Sequence, residues 1–128
     1  MSADELVAKG DQICTEERDR FDEIQSVPLT SASVGVKQAK ELLVAAESAQ
    51  DDLRDIEPPE EIRDSYNSYL HARDEVSDLL ERGREAAADK DGAAFGKAQE
   101  EAAAGAGKRE KLARELGFKV CSQSAAAP

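Results

Sequence analysis

The sequence predicts an all-α fold: an up-down-up-down antiparallel four-helix bundle, with helix 1 tied to the C-terminal strap by a disulfide. Three observations predict it. Aromatic residues are only 4% of the chain and charged residues 35%, which is typical of solvated helices around a lean aliphatic core. Apolar residues recur at helical spacing in four segments. Short links join these segments, and short links favour antiparallel neighbours.

Helix 1 is predicted over about residues 3–26. Ser2 and Glu5 have the spacing of a capping box, in which each satisfies a free amide at the start of the helix. The apolar stripe recurs at three, four and seven residues and comprises Leu6, Val7, Ile13, Cys14, Phe21 and Ile24. The acidic run at 16–23 is interpreted as a solvated face. Residues 26–33 combine hydroxyl residues with a proline, so we interpret them as a crossover between helices.

Helix 2 is predicted over about residues 33–56 and helix 3 over about 59–88. Glu57 ends helix 2 because a residue before proline is pushed out of the α region, and Pro59 suits the first turn of helix 3. Gln50 is the one polar residue on the helix 2 stripe. The helix 3 stripe comprises Ile62, Tyr66, Tyr69, Leu70, Val76, Leu79 and Leu80. A link this tight predicts that the two helices run antiparallel.

Helix 4 is predicted over about residues 91–116, with Asp91 as its cap. Alanine and glycine between 102 and 107 make its core face weak there. Gly117 in the left-handed conformation, followed by a Phe118 that folds back, predicts a helix stop of Schellman type. Residues 119–121 then form an extended strap. The domain spans 1–121, and 122–128 are predicted to be a disordered tail.

One core is expected to contain residues from helices 2, 3 and 4. Its members are Leu43, Leu53, Ile62, Val76, Leu79 and Leu112.

The two cysteines, Cys14 and Cys121, lie almost at opposite ends of the chain, where helix periodicity faces inward or ends. A Cys-x-x-Cys metal or redox spacing is absent. The alternatives are two reduced cysteines in the cytosol and an oxidised pair; we favour the pair. The loop-entropy model values closure of a loop of roughly 100 residues at about 4.7 kcal/mol. An oxidised pair places the domain outside the cytoplasm, secreted or membrane-anchored through a segment missing from this chain.

Charge and hydropathy argue against two classes of partner. With 28 acidic and 17 basic side chains the net charge is −11, which repels nucleic acid and removes the main source of non-specific DNA affinity. No apolar run approaches the roughly 18 residues of a membrane span. We therefore expect no nucleic acid partner and no direct membrane span within the chain.

Metal, cofactor and catalytic sites are not predicted. His71 is the only histidine, and Ser68 stands where a di-iron bundle has glutamate. Asp89 to Glu100 partly matches a calcium loop, but Ala94 stands where the sharp turn needs glycine. A turn between two helices explains the same residues. We predict no metal, no cofactor and no enzymatic activity.

Two tyrosines at three-residue spacing in helix 3, each one turn from an arginine, are the candidate ligand or partner contacts. They are Arg63, Tyr66, Tyr69 and Arg73. Such residues can line a small polar pocket or a partner surface. The alternative is that the aromatic rings belong to the core or its rim.

Three short motifs carry a resemblance to a known group of proteins: Ile13-Cys14 in helix 1, Pro58-Pro59-x-x-Ile62 followed by Tyr66 and Tyr69, and a terminal Leu116-Gly117-Phe118-x-x-Cys121. Over residues 4–121 the chain resembles small exported or lipid-anchored four-helix proteins of actinobacteria. Those proteins are largely uncharacterised. The resemblance implies a disulfide-tied bundle outside the cytoplasm and implies no activity.

The sequence thus favours a non-enzymatic extracytoplasmic interaction or binding module of the cell envelope. It is expected to be a monomer or weak dimer whose partner is an unknown protein or envelope component. The alternative is a small-ligand sensor or carrier with a pocket between helices 3 and 4. An enclosed cavity beside Tyr66, Tyr69 and Gly105 would favour the carrier, and a solid core would favour the interaction module.

Overall fold

In a computed structural model that describes residues 1–123, the chain forms four antiparallel helices: α1 (Ala3–Gln25), α2 (Ala32–Arg54), α3 (Arg63–Ala88) and α4 (Gly92–Leu116). Each helix packs on the next one along the chain, and α3 packs most extensively on α4. Residues 1–123 contain no strand. The predicted all-α four-helix bundle is confirmed.

The helix starts are built by the short polar side chains that the sequence places there. The Glu5 amide donates to the Ser2 hydroxyl at 3.1 Å and the Ser2 amide donates to the Glu5 carboxylate at 3.4 Å, so the predicted capping box is present. Asp91 caps α4 as predicted, accepting from the Ala94 amide at 3.0 Å. Ser31 caps α2, so this helix starts just before the predicted residue 33.

The ends of α2 and the start of α3 differ slightly from the sequence prediction. Helix α2 ends at Arg54, two residues before the predicted end at 56. Pro59 leads into a single 3₁₀ turn, Glu60–Ile62, and regular helix begins only at Arg63. Proline holds its own φ near the helical value but lacks an amide hydrogen, which suits the edge of a helix better than its interior.

The end of α4 is the predicted Schellman stop. Gly117 has φ 94° in the left-handed region, and the Phe118 amide donates to the Ala113 carbonyl at 3.0 Å. Phe118 is thereby folded back into the core, where its ring lies 5.5 Å from the ring of Tyr69.

The disulfide between Cys14 and Cys121 is present, with 5.3 Å between the two Cα atoms. Asp11 holds the same strap, because its carboxylate accepts from the amides of Lys119, Val120 and Cys121 at 3.1, 2.9 and 3.1 Å. Disulfides persist in oxidising compartments, so this bond indicates an oxidising, extracytoplasmic environment.

The strap continues beyond the cysteine. The Ser122 hydroxyl donates to the Lys119 carbonyl at 2.9 Å, and Gln123 accepts from Arg18 at 2.9 Å. These two residues, which the sequence analysis counted with the tail, are part of the strap. The rest of the predicted tail, residues 124–128, lies outside the described residues.

The core lies in the half of the bundle that the strap closes, which we call the stapled end. Its buried members are Leu6, Cys14, Leu53, Tyr66, Tyr69, Ala113, Phe118 and Cys121. Ile62 and Leu112 pack against it as expected. Leu53 is a member as expected, whereas Val76 is buried but lies outside the cluster. The expectation that Leu43 and Leu79 belong to this core is wrong, because both are only partly buried and lie outside the cluster. The bulkiest fully buried side chains are all at the stapled end, so that end holds the core.

None of the helices formed by the described residues is both long enough and apolar enough to cross a lipid bilayer.

Candidate functional site

A buried polar cluster lies beside the disulfide, with Arg73 at its centre. The guanidinium group of Arg73 donates to the Glu17 carboxylate at 2.7 Å, to the Gln50 side-chain oxygen at 2.7 Å and to the Tyr69 hydroxyl at 3.3 Å. These partners come from α1, α2 and α3. One arginine therefore joins three helices through hydrogen bonds.

The partners of Arg73 are themselves fixed by further contacts. The Gln50 side-chain amide donates to the Leu70 carbonyl at 2.8 Å, so both ends of this amide are used. The Tyr69 hydroxyl lies 3.9 Å from the sulfur of Cys14, and Arg73 stacks 6.0 Å from the centre of the Tyr69 ring. Every polar group of Glu17, Gln50 and Tyr69 named here has a defined neighbour, as buried polar groups require.

Glu17 and Arg73 form a charged pair inside the protein. Burial by itself lowers the pKa of a guanidinium group, but the negative charge of Glu17 and the hydrogen bonds to Tyr69 and Glu17 outweigh it. The pKa of Arg73 is therefore raised, and the group stays protonated. This arrangement is suited to holding helices in one register rather than to moving protons.

A second arginine reaches the cluster from α4 and is less well compensated. The Nε atom of Arg109 is the one buried side-chain nitrogen or oxygen within residues 1–123 that has no hydrogen-bond partner. The Glu110 carboxylate lies 3.9 Å from its Nη2 atom. Burial, and next the positive charge of Arg73, lower the pKa of Arg109. The site thus has an excess of positive charge near α4.

A small cavity of about 20 Å³ lies between these side chains and the disulfide. Its wall includes Glu17, Arg18, Arg73, Arg109 and Gln123 together with both cysteines. Arg18 is half-buried and Gln123 exposed, so the cavity lies close under the surface on that side.

The four predicted contact residues do not form one site. Tyr69 and Arg73 belong to the buried cluster. Tyr66 is buried as well, and its hydroxyl donates to the Leu53 carbonyl at 2.5 Å. Arg63 is about half exposed and lies with the edge of Tyr66 at an open depression of about 450 Å³ between the ends of α2 and α3. Both tyrosines therefore belong to the core, which is the alternative to ligand or partner contact.

Sequence reasoning missed Glu17, Gln50 and Arg109 as members of the cluster. Glu17 is buried, so its assignment to a solvated acidic face is wrong for this residue. The signal was present in its spacing, since Glu17 follows Leu6, Gly10 and Cys14 on one helix stripe. Gln50, the one polar residue on its stripe, carried the same signal.

The opposite half of the bundle, which we call the open end, exposes residues that continue the buried stripes. In α3 the stripe Tyr66, Tyr69, Arg73, Val76 and Leu80 alternates steps of three and four residues. It is buried up to Val76 and Leu80 is 43% exposed, but Gly83, the next step of the same stripe, is buried again beside Ala98 of α4. Phe95 of α4 and Val36 of α2 are likewise 38% and 54% exposed. The open end is defined by Phe21, Ile24, Val36, Leu43, Leu80 and Phe95, with Val27 and Leu29 in the adjoining loop.

Among the described residues, no group of three or more His, Cys, Asp or Glu side chains is placed to hold a metal ion. The absence of a metal or a cofactor stays a prediction. A comparison with known proteins gives no similarity to report: no family model, no curated protein and no solved structure matches this chain.

Proposed function

We propose that this chain is a non-enzymatic interaction module of the cell envelope that binds a helical segment of a partner protein at its open end. The protein works outside the cytoplasm, secreted or anchored through a segment outside this chain. The resemblance to small exported or lipid-anchored four-helix proteins belongs to the same proposal.

The observation that carries the proposal is the exposure of Leu80 on the core-facing stripe of α3, between the buried residues Val76 and Gly83. Val76 is 7% exposed and Leu80 is 43% exposed, although both lie on the same core-facing stripe. An apolar stripe that is exposed to solvent is typical of a surface that a partner covers. Because α2 and α4 expose Val36 and Phe95 in the same way, an added apolar helix is the element that would complete the helical layer.

The alternative of a ligand carrier with its pocket between helices 3 and 4 has less support. A Cβ atom added at Gly105 would come 3.1 Å from a methyl group of Val76, so the small residues of α4 serve close packing at this level. The carrier interpretation required open space beside Gly105.

The binding surface can be tested with a photo-crosslinking amino acid at Leu80, and at exposed Lys111 of the stapled end as a matched control. The variants are exposed to an envelope extract of the producing cells. A discrete adduct from position 80 supports the proposal under one condition. Unlabelled wild-type chain must compete for this adduct, and unlabelled chain carrying Leu80→Glu must not. Adducts of equal yield from both positions, or adducts formed only between two copies of this chain, contradict it.

The compartment is tested separately by alkylating free thiols in intact producing cells before lysis. A protein that works outside the cytoplasm should be recovered without alkylated cysteine. Two alkylated cysteines would contradict the location and leave the binding test unaffected.

A further inference from the structure

The cavity beside the disulfide has more positive than negative charge on its wall. Arg18, Arg73 and Arg109 line it together with one carboxylate, Glu17. That carboxylate is already engaged, because Arg73 donates to it at 2.7 Å. Arg18 donates to the neutral side chain of Gln123 at 2.9 Å, which leaves its charge uncompensated on this wall.

Arg109 adds an unused donor to this excess of charge. Its Nε atom is buried and is the one such atom in the described part of the chain without a hydrogen-bond partner. A buried charged group is costly unless it is paired and its donors are used. The Glu110 carboxylate lies 3.9 Å from the Nη2 atom of Arg109 and offsets part of its charge. An anion in the cavity would add negative charge beside Arg18 and an acceptor for the Nε atom of Arg109.

We propose that this cavity binds one small monovalent anion, held by Arg18 and Arg109 against the Cys14–Cys121 disulfide. The volume sets the size, because about 20 Å³ is little more than one water molecule needs. Chloride and a carboxylate share the required single negative charge: chloride matches this volume, formate would place one carboxylate oxygen in it, and sulfate is divalent and too bulky. Since the chain as a whole carries −11, local guanidinium contacts must supply the attraction.

The bound anion would link α4 to α1 and the strap, which the disulfide and Asp11 already join to each other. Arg18 belongs to α1, Arg109 to α4, and Gln123 to the strap that the disulfide attaches to α1. The anion is therefore expected to stabilise the folded state by an amount that rises with the logarithm of its concentration once this exceeds the Kd.

Thermal unfolding of the oxidised chain tests this. Wild type and Arg109→Gln are compared in sodium chloride, sodium formate and sodium sulfate at matched ionic strength, with Arg114→Gln as the control on an exposed position of the same helix. Sulfate strengthens apolar burial in general, so the quantity compared is the Tm difference between wild type and variant within each salt. We expect this difference to grow with the logarithm of the chloride or formate concentration, to about 5 °C at tenfold Kd, and to stay constant in sulfate.

Direct binding is measured by ³⁵Cl line broadening. The measurement on the wild-type chain does not require that any variant folds. Broadening that formate displaces, and that Arg109→Gln or Arg18→Gln removes, supports the proposal. A Tm difference that grows in chloride alone identifies chloride as the ligand. A Tm difference that grows in formate alone identifies a carboxylate. Equal Tm differences in all three salts, without displaceable broadening, would overturn the proposal and leave the cavity to water.

Discussion

Arg73 donates a 2.7 Å hydrogen bond to Glu17 across the centre of the bundle, and both side chains are only 8% exposed. The two residues are far apart in sequence, on α1 and α3. Buried pairs of this kind give little net stability over apolar residues, but leaving one partner alone is costly. The pair therefore fixes how α1 sits against α3 more than it adds to stability.

Glu17→Gln is expected to lower the free energy of unfolding by about 3–5 kcal/mol, because it leaves the charge of Arg73 buried without a counter-charge. Urea unfolding measures it. The matched control is Glu41→Gln in the exposed pair with Lys37, for which a change within about 0.5 kcal/mol is expected. The double variant Glu17→Gln, Arg73→Met should recover part of the loss. Equal losses at positions 17 and 41 would contradict the importance of the buried pair.

Gly10→Ala is expected to destabilise the protein by about 1–3 kcal/mol. A Cβ atom at this position would come 2.4 Å from the ring of Phe118, which is itself held by the core. Gly96 provides the control, because a Cβ atom there meets nothing within 4 Å. Gly96 lies inside α4, just past its first turn, so Gly96→Ala should raise stability by roughly 0.5–1 kcal/mol. Chemical unfolding curves that shift in the same direction for both variants would be inconsistent with this packing.

The position of the core predicts unequal losses for two leucines. Leu53→Ala should cost about 2–5 kcal/mol, since Leu53 is fully buried at the stapled end. Leu80→Ala should cost less than about 1 kcal/mol, because this residue is 43% exposed. Urea unfolding of the two variants gives the comparison: if their m-values are equal, the difference between their midpoints measures the difference in stability. A loss at Leu80 as large as that at Leu53 would mean that the open end is closed in solution.

The helix ends could be predicted from the sequence because their causes are local. Ser2 and Glu5, Asp91, and Gly117 with Phe118 each act within a few residues of the amides they serve, so spacing alone reveals them. The disulfide was predictable for a different reason. Only two cysteines exist, and both fall at the inward edge of a helical pattern.

The open end could not be predicted, because periodicity shows which face of a helix turns inward and not whether a neighbour reaches it. Val76 and Leu80 occupy equivalent places in the same repeat, yet only one is covered. The polar cluster was hidden for a similar reason. Glu17 lies within an acidic run, and its partner Arg73 is identified only when α1 and α3 are brought together.

Reduction of the disulfide should lower the stability by about 2–5 kcal/mol without abolishing the helical circular dichroism, because the apolar stripes remain. Asp11 should then be the side chain that holds the amides of residues 119–121, while Arg18 still donates to Gln123 further along the strap. In reduced protein, Asp11→Ala is expected to remove the hydrogen-exchange protection of the Lys119, Val120 and Cys121 amides, which donate to its carboxylate. Asp22→Ala, on the exposed face of the same helix, is the control. Protection that survives in the reduced Asp11 variant would show that other contacts hold the strap.

Tyr66 should make stability fall as the pH rises above about 10. Burial, and next the neighbouring Tyr69, raise the pKa of the Tyr66 hydroxyl well above its ordinary value of 10.0. In the unfolded chain this hydroxyl loses its proton near pH 10, whereas in the folded protein it stays protonated and donates to the Leu53 carbonyl at 2.5 Å. The contribution of Tyr66 is thus complete below the unfolded pKa and is lost as the pH rises towards the folded one.

Tyr66→Phe separates this effect from other alkaline titrations. The variant should be less stable than wild type at neutral pH by about 0.5–1.5 kcal/mol, because the hydrogen bond to Leu53 is lost. Above about pH 10 its unfolding free energy should fall less steeply, because phenylalanine has no proton to release in the unfolded state. Urea unfolding between about pH 8 and pH 11.5 gives both slopes. Parallel slopes for the two proteins would mean that groups other than Tyr66 set the alkaline limit of the fold.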